Sequence, residues 1–135
     1  MAKTIINPAS LARPSGFSHG ILVTGGRMLF LGGQTGTNAE GHLAANDLVG
    51  QYEQTLRNLQ AVVEAAGGAM QDIVKINIFV KDRDNYLATL KPLGKVHQAF
   101  FGKYYPATAL FEISRFYQDG ILVEIEGVAM VGSEG

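Results

Sequence analysis

An α+β fold, a mixed sheet with two helices packed on one face, is predicted by three features of this sequence. Apolar residues recur at spacings of three and four between Asp47 and Ala66, the pattern of a helix with one buried stripe. Apolar runs of strand length lie on both sides of it, at 21–24, 27–31, 73–80, 107–113 and 121–131. Their order is hairpin, helix, strand, helix, strand, strand, so helices and strands interleave without a strict βα repeat.

Lys3–Ile6 reads as a short strand stopped by Asn7-Pro8. Ile21–Thr24 and Arg27–Leu31, joined by Gly25-Gly26, carry a hairpin signal. Residues 32–46 are rich in Gly, Asn and Thr and read as a loop. The helix from Asp47 presents Leu48, Tyr52, Leu56, Leu59, Val63 and Ala66 on one stripe, with Asn46 as N-cap and Gly67-Gly68 as the stop. Ile73–Val80 is a strand with Val74, Ile76, Ile78 and Val80 on one face. Asp84–Gly102 is a second helix, kinked or irregular at Pro92 and Gly94 and firm from about Lys95 to Phe101. Ala107–Ile113 and Ile121–Val131 are the last strands. With helices on one side only, the other sheet face carries Met28, Phe30, Phe79, Leu110, Leu122 and Val128 or their alternates, and oligomerisation is expected to cover it.

The 135 residues, 1–135, read as one domain. With 11 basic and 12 acidic residues, a net charge of −1 and no basic run, the chain lacks the positive footprint of a nucleic-acid binder. It has no cysteine, which removes disulfides, thiol nucleophiles and sulfur metal sites together. The opening MAKTIINPAS has no apolar signal core, and no apolar run approaches the ~20 residues of a membrane span. A cytoplasmic protein that needs no membrane is expected.

The stretch 122–131, LVEIEGVAMV, raises the functional question. Alternation puts Leu122, Glu124, Glu126, Val128 and Met130 on one face, so two carboxylates interrupt an otherwise apolar surface. They either take structural partners, such as backbone amides or Lys75, or serve chemistry.

Five segments in order resemble the RidA/YjgF family of reactive-intermediate imine deaminases: GGQTG at 32–36, NLQAVVEAAGG at 58–68, DIVKINIFVKDRDNY at 72–86, QAFFGKYYPA at 98–107 and LVEIEGVA at 122–129. The resemblance spans nearly the whole chain. It implies a chorismate-mutase-like α+β fold and a homotrimer with three clefts between neighbouring subunits, each receiving a small molecule without a cofactor. Glu124 matches the family glutamate that positions a water, and a carboxylate in a partly dry cleft can aim water at an imine carbon and shuttle protons as ammonia leaves. Glu126 matches a second family glutamate without an assigned chemical role, and a structural role is expected for it.

The departures lie in the substrate-binding positions. Thr108, in Pro106-Ala107-Thr108-Ala109, stands where the family's deaminases carry the arginine that grips the substrate carboxylate. A bidentate pair supplies charge and fixed geometry that a hydroxyl cannot reproduce. Losing it costs about 2–5 kcal/mol, or roughly 30- to 5,000-fold in affinity. Leu110 falls at a position whose backbone amide contacts the ligand. Phe17 replaces a tyrosine, Gly32 a serine and Gly94 an asparagine, while Gly33 is retained. Arg115, Arg13 and His19 are the side chains considered as replacements in the cleft.

Other motifs carry less. His19, His42 and His97 show no metal-ligand spacing; solvation is expected of His42 and packing of His97. GGQTG lacks the Lys-Ser/Thr ending of a phosphate loop. Phe100, Phe101, Tyr104 and Tyr105 lack the basic surroundings of a base-stacking surface, and packing accounts for them. Three functions stay open: a hydrolase acting on a small imine or enamine through Glu124, a non-catalytic metabolite-binding trimer, and, least supported by the charge balance, a ribonuclease or translation inhibitor.

Overall fold

In the computed structural model, which describes residues 2–132, a four-stranded mixed sheet runs in the order β3-β6-β4-β5. Its strands are β3 (Arg27–Thr35), β4 (Ile73–Val80), β5 (Ala107–Glu112) and β6 (Val123–Val131). β6 pairs antiparallel with β3 and β4, while β4 and β5 are parallel. Parallel neighbours need a long crossover, and here it carries α2 (Arg83–Ala88) and α3 (Leu90–Phe101). β1 (Ala2–Ile6) and β2 (Gly20–Thr24) form a separate antiparallel ribbon. The α+β class and mixed sheet are as predicted; among the described residues the helices number three rather than two, with α1 (Leu48–Ala65) the longest, besides a 3-10 turn at Met70–Asp72.

α1 buries the predicted stripe: Leu48, Tyr52, Leu56, Leu59 and Val63 face Ile73, Ile76, Ile78, Val80, Val123, Ile125, Ala129 and Val131 in one apolar cluster. Full burial of a leucine such as Leu56 or Leu59 contributes about 1.5–3 kcal/mol. The helix begins one residue later than Asn46 would dictate, with Asp47 at the cap and no side-chain cap bond. Its stop is as read: Gly67 has φ of 86°, and Gly67 and Gly68 donate to the Glu64 and Val63 carbonyls.

Several readings change. Gly25 and Gly26 both adopt left-handed φ, 79° and 84°, but the strands they join do not form a hairpin. β2 spends its ladder on β1 and β3 spends its ladder on β6, so the glycine pair redirects the chain between two sheets. β3 continues through Gly32–Thr35 beyond its expected end, with a bulge between Leu31 and Gln34. A second irregularity at Ile73/Lys75 puts Ile73, not Val74, inside with Ile76, Ile78 and Val80. The helix predicted over 84–102 is two helices. Asp82 caps α2 by accepting from the Asp84 and Asn85 amides at 2.9 and 3.2 Å, and Thr89 separates it from α3. Pro92 then sits in the first turn of α3, where its missing N–H leaves no bond unmade, so it kinks nothing.

The uncovered sheet face is apolar, as expected, with a different membership. Met28 pairs with Met130 and Phe30 with Val128 across β3 and β6. Phe79 stacks on Phe111 with ring centroids 5.5 Å apart. Leu110 is registered with core-facing Ile78, so it lies on the opposite face at the sheet edge, and Leu122 packs against the core. Phe30 is 74% exposed and Met28 59% in the single chain, too much apolar surface to leave in water. Among the described residues no helix is long and apolar enough to cross a membrane.

Candidate functional site

Alternation along β6 sends Val123 and Ile125 into the core and Glu124 and Glu126 onto the opposite face. The two carboxylates then part company. Glu126 accepts from the Asn77 side chain at 3.2 Å, its cross-strand neighbour, so its structural partner is Asn77 rather than Lys75. Glu124 has no hydrogen-bond or ion-pair partner among the described residues. Partial burial, and secondarily the negative Glu126, push its carboxyl above the usual carboxylate range.

The bulge in β3 brings Gly33 against this group: a Cβ at Gly33 would overlap the Glu124 carboxylate. Glycine there lets the carboxylate lie against the strand; a larger residue would make the Glu124 side chain swing away. Gly32 precedes it, exposed. From Glu124 a groove of about 830 Å³ opens between β3, α1 and the loops at 37–41 and 117–121. Among the described residues its one basic lining residue is Arg57, which bonds Glu53 at 2.7 Å and lies over the Phe100 ring.

Two buried or half-buried amides, invisible as site residues in the sequence, hold the groove walls. Gln51, fully buried, donates to the carbonyls of Ala45 and Gly120 at 3.1 and 2.9 Å and accepts from the Leu122 amide at 2.8 Å. Asn58 donates to the carbonyls of Thr35 and Thr37 at 2.9 and 2.8 Å. The only sequence signal was a pair of polar residues beside the apolar stripe of α1. Gln51→Leu takes away the side-chain partner of three part-buried backbone groups and puts an apolar group among them, and at roughly 0.5–1 kcal/mol each it is expected to lower unfolding stability by about 1.5–3 kcal/mol. Urea unfolding measures this, and a loss under 1 kcal/mol would show that the loops are not held this way.

The remaining sequence candidates gather elsewhere. Ser18 donates through Oγ to the Tyr105 carbonyl at 2.7 Å and through its amide to Pro106, forming a bridge with Ala107. This seats Phe17 beside the start of β5 and Thr108. The Thr108 hydroxyl donates to the Pro106 carbonyl at 2.8 Å. Thr108 is registered with core-facing Ile76, whereas Glu124 is registered with Phe79 on the opposite face. Two strand spacings and three residues separate them, roughly 14 Å. Gly94, on α3, lines a small cavity with Gly16 and Tyr105. Within one chain Gly32, Gly33 and Glu124 therefore lie apart from Thr108, which is on the other face of the sheet with Phe17 near the start of its strand.

The other cations and imidazoles lie apart from the Glu124 groove. Arg115 lines a separate small pocket with Lys81 and Asp119, and Arg13 is exposed in the segment before Phe17. The His19 ring bonds the Ala12 carbonyl at 2.7 Å and meets Phe17 edge-on at 5.2 Å. His97 packs between Phe101 and Tyr105, with centroids 4.6 and 4.5 Å away, and bonds the Tyr104 carbonyl at 2.9 Å. Among the described residues no three carboxylates or imidazoles cluster as metal ligands.

The sequence model of a family described as endoribonuclease L-PSP matches residues 8–131. A RutC family protein of Pyrococcus abyssi is 30% identical over 131 residues, covering 96% of this chain and 98% of that protein. A 2-iminobutanoate/2-iminopropanoate deaminase of Escherichia coli K12 is 32% identical over 133 residues, covering 96% and 98%. A Yersinia pestis structure, described as a protein of unknown function of the conserved Rid family, superposes with a TM-score of 0.86 at 30% identity, covering 97% of this chain and all of that one. Match length, identity and fold agree, and the chain belongs to the RidA/YjgF family.

Proposed function

We propose that three copies of this chain pack their apolar sheet faces together, so that Gly33 and Glu124 of one copy meet Phe17, Gly94 and Thr108 of the next in a shared cleft. The cleft binds a small imine or enamine and hydrolyses it. Glu124 takes a proton from water as the water oxygen adds to the imine carbon and passes it to nitrogen, giving a carbinolamine; it then takes the hydroxyl proton and delivers it to nitrogen as the carbon–nitrogen bond breaks and the carbonyl forms. Imine and water give a carbonyl compound and ammonia. The observation that carries this reading is the unpaired Glu124 carboxylate, seated against the Gly33 bulge and partly buried beside a groove that can admit water and a small ligand. A carboxyl held above its usual range is better matched to proton exchange near neutral pH.

Thr108 supports a shift of substrate away from the 2-imino acids for which the Escherichia coli relative is named. Its hydroxyl is occupied by the Pro106 carbonyl, and the nearest groove cation, Arg57, is paired with Glu53. Ammonia release from freshly generated imines, both 2-imino acids and uncharged analogues, tests the proposal. Acceleration of uncharged imines beyond that of imino acids is expected; no acceleration across the panel would end the catalytic reading. The same missing cation favours a second reading, saturable metabolite binding without turnover. A ribonuclease reading has, among the described residues, one basic groove residue to draw on, Arg57, which is paired with Glu53.

A further inference from the structure

Beside the Phe17–Gly94–Thr108 side of the proposed cleft lies a cavity of about 100 Å³, room for about three water molecules by liquid volume. Its floor is unusual. Tyr52 from α1 and Tyr86 from α2 both line it, and Tyr52 is only 3% exposed. A buried phenol normally finds a hydrogen-bond partner. Neither hydroxyl makes a hydrogen bond to a described residue, yet among the described residues no fully buried side-chain nitrogen or oxygen goes unpaired. The Tyr52 hydroxyl therefore meets the cavity itself.

The rest of the lining decides what would fit. His97 commits Nε2 to the Tyr104 carbonyl, so that nitrogen carries the proton and Nδ1 is left as the acceptor. Burial pulls the imidazole below its usual range, and the Tyr52 phenol is pushed up by burial and then by Tyr86, so these groups are uncharged at neutral pH. No lysine, arginine or carboxylate lines the cavity among the described residues. A carboxylate entering it would lose its hydration without gaining a counter-charge. A neutral carbonyl oxygen offers two lone pairs to two phenol donors, and an amide N–H would match an imidazole acceptor. Gly94 leaves the space open, since a Cβ there meets nothing within 4 Å.

We infer that the Tyr52–Tyr86–His97 cavity is a binding site for the uncharged carbonyl or carboxamide end of a small ligand, taking the recognition role that a charged pair cannot fill beside Thr108. The inference rests on the reading that this side of the proposed cleft receives its ligand, and it specifies that ligand's class. Each phenol bond is worth about 1 kcal/mol, so losing one weakens binding by roughly fivefold.

Titration of the full-length protein with propionamide and, separately, with isosteric propionate at pH 7.5 tests it, read from the ring resonances of Tyr52, Tyr86 and His97. Saturable shifts with propionamide, at least about tenfold tighter than with propionate, are expected. Tyr52→Phe and Tyr86→Phe should each weaken propionamide by roughly fivefold, with retained packing. Gly94→Leu, which removes no hydrogen bond and fills the space, should abolish binding even if a tyrosine variant folds poorly. Absence of saturation, equal affinity for propionate, or propionamide binding unchanged in Gly94→Leu would overturn the inference. Glu124→Gln separates the two claims. Amide binding retained alongside lost turnover sustains both, imine turnover without amide binding sinks only the cavity, and amide binding without any turnover sinks only the catalytic reading.

Discussion

Glu124→Gln is expected to lower kcat/KM on any imine the protein turns over by roughly 10²- to 10⁴-fold, the usual worth of a positioned general acid–base group. The glutamine keeps the shape and polarity of the side chain against Gly33 but cannot exchange a proton. Stability should move the other way. The folded-state pKa is raised, chiefly by desolvation and then by Glu126, so the folded protein disfavours the charged carboxylate. That penalty is absent below the unfolded pKa, about 4.3, and grows as pH rises through the folded value. Glu124→Gln is therefore expected to melt at the same temperature as the wild type or slightly higher at pH 7, an advantage that disappears in acid. The activity profile follows from the same shift. The acidic limb of kcat/KM should lie above the ordinary carboxylate range, and Glu126→Gln, which removes the nearby negative charge while keeping an acceptor for Asn77, should move it to lower pH. Undiminished ammonia release from Glu124→Gln would remove the proposed mechanism; an acidic limb that does not respond to Glu126→Gln would remove the coupling.

What could be read from the sequence was what depends on short-range periodicity. The α1 stripe from Leu48 to Val63 and the inside–outside alternation of β6 are local patterns, and both stand as read. Errors arose where a long-range partner overrode a local signal. Gly25-Gly26 makes the turn its sequence promises, but β6 competes for β3 and β1 for β2. Pro92 marks a boundary rather than a kink because Asp82 and Thr89 set the helix ends upstream of it. The site divides in the same way. Glu124 and Gly33 belong to segments whose pairing is antiparallel and adjacent, and their contact follows from the ladder. Gln51 and Tyr52 looked like ordinary members of a helix, because what they face, the Gly120 loop and the cavity floor, comes from residues far along the chain.

If copies assemble through the apolar sheet face as proposed, Phe30→Glu is expected to leave single chains of 14.5 kDa, read by light scattering in solution. Phe30 is the most exposed phenylalanine of the sheet face and stands beside Val128, with Met28 and Met130 one pair further along. If three such faces pack together, symmetry places three new carboxylates in the contact, each several kcal/mol unfavourable without a partner. In the free chain the same substitution points into water and removes an exposed apolar side chain, so the fold should survive with its thermal transition intact. Activity should not survive. Thr108 and Glu124 lie on opposite faces of one chain's sheet, and in the proposed cleft it is a neighbouring copy that brings Thr108 to the acid. Loss of ammonia release should thus track loss of assembly in Phe30→Glu, whereas Leu87→Glu, an exposed apolar position on α2, should leave both unchanged. A wild-type protein that runs as a single chain, or a Phe30→Glu variant that stays assembled, would show that the sheet face is not where copies meet. Thr108 and Glu124 would then need another route to each other.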